Sequence, residues 1–388
     1  MGSMGSMGSM GSMGSMGSMG SMALAGMPGV TGDNAANPMI VQGLLSSTQA
    51  ILRVGEGAES FPENLDFAPG KGGYLDAYAP WVRSSIYLTE FLGRVRWTFT
   101  AASDGAPAAV DFSFDTGRRH QSIATIVRPT PDMFRAQLAF LRDYMDQRAE
   151  RAAEIISQMG LPADYFGTIL GLTNARNRFT FELMVLTQVL AAHVAMYAKH
   201  LLACRRPDKF SPAVMPMLPT PGHNTFPSAH ATEAFAVATV LDGLIHSGDG
   251  WAHFPSPGRL SKLLFKQAER IAVNRTVAGM HFPIDSWAGA ALGEAVGQII
   301  LALAGAERKE SRTAPPQPGQ VTPRSYKVPE PAAEGGRAAP GLDFNLHSFL
   351  DGARPFGLRR GRKMSITQPA PALEWLWRKT LAELSVQG

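Results

Sequence analysis

From Thr130 onward the apolar residues recur at helical spacing for about 175 residues, and this pattern constrains the fold more than any other feature. Thr130 is a suitable N-cap, Pro131 suits a first helical position and Gly160 ends the first segment. The period predicts helices at roughly 131–159, 162–175, 179–205, 228–247, 258–279 and 284–305. The predicted fold class is therefore mainly α, with a helical bundle and a small N-terminal β-element.

The flanking segments predict a simple domain organisation. Residues 1–22 repeat Met-Gly-Ser and indicate an expression tag, and residues 23–129 form an arm whose alternating segments predict a small β-sheet. The bundle at 130–305 is predicted to be catalytic, and 306–341 is rich in Pro and Gly, which is typical of a linker. Residues 342–388 are predicted to be a C-terminal tail.

The tail carries an amphipathic segment at Ala372–Val386. One interpretation is that this segment packs back on the bundle or onto a second subunit, which would make a homo-oligomer. The alternative is a motif for a partner or a membrane surface.

Composition excludes several other functions. The net charge is only +4 and the basic residues are dispersed, so nucleic-acid binding gains little support. The single cysteine, Cys204, can form neither an internal disulfide nor a cysteine-based metal site. Charged residues such as Glu182 and Glu294 interrupt the two most apolar stretches, which predicts core helices of a soluble protein without a membrane span. The compartment stays open between cytoplasm and periplasm.

The first chemical motif is Lys199 followed seven residues later by Arg206-Pro207. Seven residues are two helical turns, so both cations would lie on one helix face. Pro207 would end the helix and bias Arg206 toward an extended backbone at the helix exit. Alone, this motif is typical of a solvated basic face. Two cations so placed would repel each other unless an anion lay between them.

The second motif is Ser228-Ala229-His230 at the start of an apolar helix. A serine in this position is usually an N-cap. A helix N-terminus also offers free N–H groups and a positive dipole end, so the Ser228 hydroxyl and the Ala229 N–H are candidate anion donors. His230 beside them can transfer a proton near neutral pH.

The third motif comprises Arg275, His281 and Asp285. Gly279 is expected to end one helix, which places His281 in the turn and Asp285 one turn into the next helix. Asp285 would then accept a hydrogen bond from one imidazole nitrogen and leave the other with its lone pair. A single His–Asp pair is more often structural. Together with the first two motifs, however, it predicts an oxyanion site with three cations, and arginine suits forked contacts to such oxygens.

The motifs Lys-x6-Arg-Pro, Pro-Ser-x-His and Arg-x5-His-x3-Asp resemble the signature of one superfamily. It joins type 2 phosphatidic acid phosphatases, bacterial non-specific acid phosphatases and vanadium-dependent haloperoxidases, and the resemblance covers roughly 179–305. It implies an all-α bundle in which Lys199, Arg206 and Arg275 bind the anion together with Ser228 and Ala229. Ala229 replaces the family's usual glycine, so any left-handed backbone there would be strained.

The resemblance implies two alternative chemistries. In a phosphatase, His281 would be the nucleophile that forms a phosphohistidine, Asp285 would orient it and His230 would protonate the leaving oxygen. In a haloperoxidase, vanadate would be the cofactor, His281 would bind vanadium directly and His230 would be the acid–base group. Bound vanadate has the geometry of a phosphoryl-transfer transition state, so one pocket suits both.

His223 favours the haloperoxidase interpretation. It precedes His230 by seven residues, the offset at which vanadium bromoperoxidases carry a second histidine. A second imidazole there would tune His230 and the bound peroxide by hydrogen bonding. The sequence therefore predicts a bromide-oxidising enzyme whose partners are hydrogen peroxide, halide and a small organic substrate. An acid phosphatase is the alternative, a non-enzymatic anion-binding protein is a third class, and His223 is equally explained as a loop residue facing solvent.

Overall fold

The computed structural model describes residues 38–52, 72–103, 105–160, 163–254, 256–309, 317–329, 342–350 and 354–385. The predicted tag, residues 1–22, lies outside them. Within these ranges the protein is mainly α-helical, as predicted. The helices are α1 (Pro38–Leu52), α2 (Pro80–Leu92), α3 (Pro131–Asp143), α4 (Arg148–Ser157), α5 (Ala163–Leu170), α6 (Arg178–Leu202), α7 (Ala229–Ile245), α8 (Gly248–His253), α9 (Pro257–Val277), α10 (Pro283–Leu303), α11 (Leu346–Leu350) and α12 (Pro371–Ser385).

The strands form one five-stranded sheet and two short pairs. The large sheet has the order β1-β2-β3-β7-β8, in which only the β3–β7 pair is parallel, and the short pairs are β4-β5 and β6-β9. The strands are β1 (Val95–Thr100), β2 (Ala109–Asp115), β3 (His120–Val127), β4 (Glu307–Arg308), β5 (Gln317–Pro318), β6 (Gln320–Val321), β7 (Arg324–Tyr326), β8 (Leu358–Arg360) and β9 (Met364–Ser365).

Local sequence explains where the helices begin. Thr130 accepts a hydrogen bond from the Met133 N–H as the N-cap of α3, and Pro131 is the first residue of that helix. The single helix predicted at 131–159 is wrong, because a short 3₁₀ turn at Met145–Gln147 separates α3 from α4. One such turn shifts the helical phase only slightly, so the apolar period continues across the break.

The core of the bundle is α7, which packs against α6, α9 and α10. Three glycines one turn apart bring α10 close to α7, since a Cβ on Gly293 would lie only 2.2 Å from the Thr232 carbonyl oxygen. Gly289 and Gly297 make similarly close approaches. The close packing places the start of α10 beside the start of α7, where the Ser228 N–H donates to the Asp285 carbonyl at 2.9 Å.

The segments predicted as linker and tail are joined to the rest of the protein. In place of a linker, the described parts of 306–341 contain β4 to β7, and β7 pairs with β3 of the N-terminal sheet. In the tail, α12 packs on α6, and the Glu383 carboxylate accepts from the N–H groups of Phe179 and Thr180 at the start of α6. The apolar face that suggested a subunit contact is thus buried within the chain, and the homo-oligomer stays a prediction.

Two segments, Arg178–Lys209 and Pro283–Leu303, are long and apolar enough to cross a membrane by length and composition alone. Their most apolar windows are 89% and 83% buried inside the protein. Core helices of a folded protein pass the same test, so this is weak evidence for a membrane span. Glu182, in the first segment, is paired within the chain, because Arg83 of α2 donates to both of its oxygens at 2.8 and 2.6 Å.

Candidate active site

Lys199 and Arg206 converge on one loop, but they do so from different elements. Lys199 is buried near the end of α6, and its ammonium donates to the carbonyls of Asn224 (3.0 Å) and Thr225 (2.7 Å). The prediction that Lys199 and Arg206 lie on one helix face is wrong, because α6 ends at Leu202 and Ala203 adopts a left-handed backbone with φ 49°. The extended backbone predicted for Arg206 before Pro207 is confirmed. Arg206 lies in the following extended segment and reaches the same Asn224 carbonyl at 3.5 Å.

Arg275 enters from the last turn of α9 and is buried. Its Nη2 donates to the Ile155 carbonyl and to Oε1 of Gln158, both at 3.1 Å. Its Nε is buried without a hydrogen-bond partner among the residues that the structure describes. A buried guanidinium N–H without an acceptor is costly, so this atom is a donor available to an anion.

The start of α7 carries Ser228 and Ala229, the residues that the sequence predicts as further donors. Ser228 is the N-cap, and its hydroxyl accepts from the Ala231 N–H at 3.4 Å. Ala229 and His230 are the first two helical residues, whose N–H groups have no intrahelical acceptor. The strain considered for Ala229 is absent, since the described non-glycine residues with positive φ are Ala203 and Met215.

His281 is held by a carboxylate and a hydroxyl. Its Nδ1 lies 2.9 Å from Oδ2 of Asp285 and 3.1 Å from the Thr225 hydroxyl, which itself donates to the same Asp285 oxygen. The Phe282 N–H also donates to this oxygen at 3.0 Å. Asp285 therefore fixes the proton on Nδ1 and leaves the lone pair on Nε2. That Nε2 atom lies 3.5 Å from Nη1 of Arg206, beside the cationic cluster.

The pKa shifts at His281 and Asp285 favour a neutral imidazole at His281. Burial, followed by the charges of Lys199 and Arg206, holds the pKa of His281 well below its usual range. Burial raises the pKa of Asp285 to about 6, although Thr225 and Lys199 act to lower it. Above that pH, Asp285 is ionised and can orient a neutral imidazole.

His230 is half-buried and its Nε2 lies 2.9 Å from the Gln158 carbonyl oxygen. Because a carbonyl only accepts, Nε2 carries the proton in the neutral ring, and Nδ1 carries the lone pair. Burial and then the charge of Arg275 hold the pKa of His230 well below its usual value. A bound anion would offset the charge of Arg275 and so favour protonation of His230.

His223 lies against Arg206. Its Nδ1 is 3.1 Å from Nη2 of Arg206, and its carbonyl accepts from Nε of the same guanidinium at 2.9 Å. A charge on His223 would also lower the pKa of His281. The structure thus brings His223 to the cluster, beside Arg206, while its predicted tuning of His230 stays a prediction.

The cluster has the donor set that a tetrahedral oxyanion requires. Burial lowers the pKa values of Arg206 and Arg275 to about 10 and holds that of Lys199 well below its usual range. Because burial destabilises these three charges, an anion among them would be stabilised in turn. With the unpaired Arg275 Nε and the free N–H groups at the start of α7, the residues fit phosphate, and they fit vanadate equally well.

Sequence reasoning missed two residues that hold the site together. Thr225 connects His281 with Asp285, and Gln158 connects Arg275 with His230 through its side chain and its carbonyl. Neither lies in a motif, so their spacing gave no signal. A third missed residue, Glu233, did leave a signal, because it is an acidic residue in a largely apolar stretch of α7.

Comparison with known proteins agrees with this geometry. Residues 180–309 match the family model described as PAP2 superfamily, and all three motifs lie inside that range. Two curated relatives are decaprenylphosphoryl-5-phosphoribose phosphatases of Mycobacterium tuberculosis, from strains CDC 1551 / Oshkosh and ATCC 25618 / H37Rv. Each is 31% identical over 120 residues, which amount to 31% of this chain. The chain spans 59% of the length of these relatives.

Proposed function

We propose that this protein is a phosphatase that hydrolyses phosphomonoesters through a phosphohistidine at His281. One observation carries the proposal: a buried imidazole whose Nδ1 is fixed by Asp285 and whose Nε2 lies 3.5 Å from Arg206. This is the arrangement of an oriented nucleophile beside groups that neutralise an anion. The match to a superfamily with a phosphatase relative supports it.

The first step transfers the phosphoryl group to His281. The lone pair on Nε2 forms the P–N bond, the ester P–O bond breaks, and the leaving oxygen takes the proton of His230. Lys199, Arg206 and Arg275 neutralise the oxygens of the group in transfer, and Asp285 stabilises the charge on the imidazole. In the second step, water attacks phosphorus while His230 accepts its proton, and phosphate departs as the lone pair returns to His281.

A vanadate-dependent haloperoxidase, the first prediction from the sequence, is the second candidate. The position of His223 against Arg206 favours it, because it brings a further imidazole to the anion site. The cationic cluster and the start of α7 would hold vanadate, which would supply a Lewis acid for activating hydrogen peroxide. The comparisons favour the phosphatase, since the relative is named a phosphatase.

One pair of assays separates the candidates. The purified protein is given an aryl phosphate without vanadate, and in parallel bromide, hydrogen peroxide and a dye with orthovanadate. We expect phosphate release, and a phosphohistidine trapped by alkaline quench. Both should be lost in His281→Ala and kept in His246→Ala, a matched control in which a histidine 3.2 Å from an aspartate lies elsewhere in the bundle. Bromination without phosphate release would overturn the phosphatase proposal and favour the haloperoxidase.

A further inference from the structure

Glu233 is a buried carboxyl that the described residues leave without a hydrogen-bond partner. It lies in the first two turns of α7 and is 1% exposed, and neither of its oxygens has a hydrogen-bond partner in the described part of the chain. Glu182 shows what a buried glutamate ordinarily requires, because Arg83 and Tyr87 donate to its two oxygens. An unpartnered carboxyl in such a core needs a functional or electrostatic explanation.

The position of Glu233 connects it to the anion site. It follows His230 by three residues, so the two side chains are neighbours on one face of α7. The close approach of Gly289 and Gly293 covers a different face, at Ala231 and Thr232. Glu233 is therefore an acidic group beside His230 and near the cations Lys199 and Arg275.

Charges from two neighbouring helices act on Glu233: Lys199 of α6 and Arg275 of α9. Burial raises the pKa of Glu233 well above its ordinary value, and those two cations act against this rise. Two further titratable groups lie on the neighbouring elements. On α10, Oδ2 of Asp285 is hydrogen-bonded to Thr225, His281 and the Phe282 N–H. On α7 itself, the low pKa of His230 keeps that residue neutral.

We propose that Glu233 is a proton-linked counter-charge of the oxyanion pocket, which at alkaline pH is ionised in the free pocket and takes up a proton when a dianion occupies it. The proposal rests on the phosphatase function, because it assumes that the cluster binds a phosphate-like anion. Lys199 and Arg275 stabilise the carboxylate in the free pocket. When a dianion takes these cations, its own charge repels the carboxylate, and Glu233 takes up one proton from solvent.

The proposal predicts a specific pH dependence. A dianion should bind less tightly as the pH rises, because binding requires Glu233 to take up a proton and the proton concentration in solvent is lower. Above the pKa of Glu233 in the free pocket, affinity should fall by about tenfold per pH unit for this single proton. Glu233→Gln, which keeps the shape without the titration, should remove this part of the dependence and bind the dianion more tightly than the parent protein at high pH.

Sulfate is the suitable probe because it stays a dianion throughout the range in which phosphate itself titrates. We would measure sulfate affinity by calorimetry from about pH 5 to 9, in buffers of different ionisation enthalpy so that bound protons are counted. His230 and the other histidines also respond to the anion, so the informative quantity is the difference between the parent protein and Glu233→Gln. We expect the variant to take up nearly one proton less, and to bind sulfate about tenfold more tightly at the alkaline end.

Glu294→Gln is the matched control, since it changes a carboxyl of α10 that pairs with Arg324 away from the pocket, and it should behave like the parent protein. Equal proton uptake in the parent and Glu233→Gln would overturn the counter-charge proposal. If that variant does not fold, the parent protein still decides, because an absence of proton uptake on sulfate binding excludes the mechanism. Sulfate binding that survives Lys199→Met, or that is absent from the parent protein, would instead reject the anion pocket and with it the proposed function.

Discussion

The two ends of the helical bundle each carry a histidine beside an aspartate, four residues apart. At one end His281 lies 2.9 Å from Asp285, and at the other His246 lies 3.2 Å from Asp242. Both pairs are buried. The charged groups around the two pairs differ, and this difference is the reason that a reaction is proposed only for the His281–Asp285 pair.

At the His281 end, the cations are buried and donors are left over. Arg275 has an Nε without a hydrogen-bond partner among the described residues, and the Lys199 ammonium uses two of its three N–H groups in hydrogen bonds to carbonyls. At the His246 end, Nδ1 also contacts the Asp242 backbone carbonyl at 2.8 Å, and Asp242 is paired with Arg308, whose side chain is 47% exposed. A cavity of about 420 Å³ lies beside this pair, lined by both Glu294 and Arg308. An anion site is therefore distinguished by buried hydrogen-bond donors that lack an acceptor, rather than by a neighbouring cavity or a His–Asp pair.

The largest effect that would test this comparison comes from removing each carboxylate. We expect Asp285→Asn to lower kcat/KM for an aryl phosphate by about 100- to 10,000-fold, because the amide no longer fixes the His281 tautomer or stabilises its charge. Asp242→Asn should leave kcat/KM within about twofold, as for a residue outside the site. Steady-state kinetics with both variants checks this, and equal losses would mean that the ends do not differ in function.

A smaller effect is expected from the two arginines. Arg275→Lys keeps a charge but loses the forked donors, so kcat/KM should fall by about 10- to 100-fold, with the affinity for sulfate reduced as well. Arg308→Lys, at the other end, should change neither quantity, because its exposed ion pair is screened by water. The assays are aryl phosphate hydrolysis and sulfate titration. A normal Arg275→Lys protein would remove Arg275 from the list of anion ligands.

The smallest effect concerns the threonine that sequence analysis missed. Activity needs ionised Asp285, so kcat/KM should decline as the pH falls through about 6. Thr225→Val removes a hydrogen bond that lowers the pKa of Asp285, so this decline should move to higher pH, with a loss of about 3- to 10-fold near neutrality. Thr239→Val, which loses only a bond to the Phe235 carbonyl, should keep the parent pH profile. An unshifted profile in Thr225→Val would contradict the role given to this hydroxyl.

Much of the fold and the site is predictable from local sequence. The helical period located the bundle, and the caps Thr130 and Ser228 lie where their chemistry predicts. Gly279, with φ +73°, ends the helix segment before His281 as expected. These features depend on neighbours in the chain, so a sequence displays them directly.

The features that sequence analysis missed depend on distant partners. Arg206 reaches the pocket from a loop whose path is fixed by contacts with His223 and Met280, 17 and 74 residues away. Gln158 acts on Arg275 from 117 residues away. The short strands of 317–329 have no periodicity of their own, and they become strands by pairing with β3, β4, β8 and β9. Composition alone therefore indicated a linker.

The parallel pair β3–β7 has a consequence for how the protein is made. Ala124 pairs with Arg324 and Ile126 with Tyr326, 200 residues later. During synthesis, β3 therefore emerges from the ribosome long before β7. Until β7 is made, one edge of β3 has unpaired backbone N–H and C=O groups. Closing so large a loop makes the sheet one of the slower parts to assemble. A chain that stopped after α10 would retain every motif of the active site and still expose a strand edge prone to aggregation.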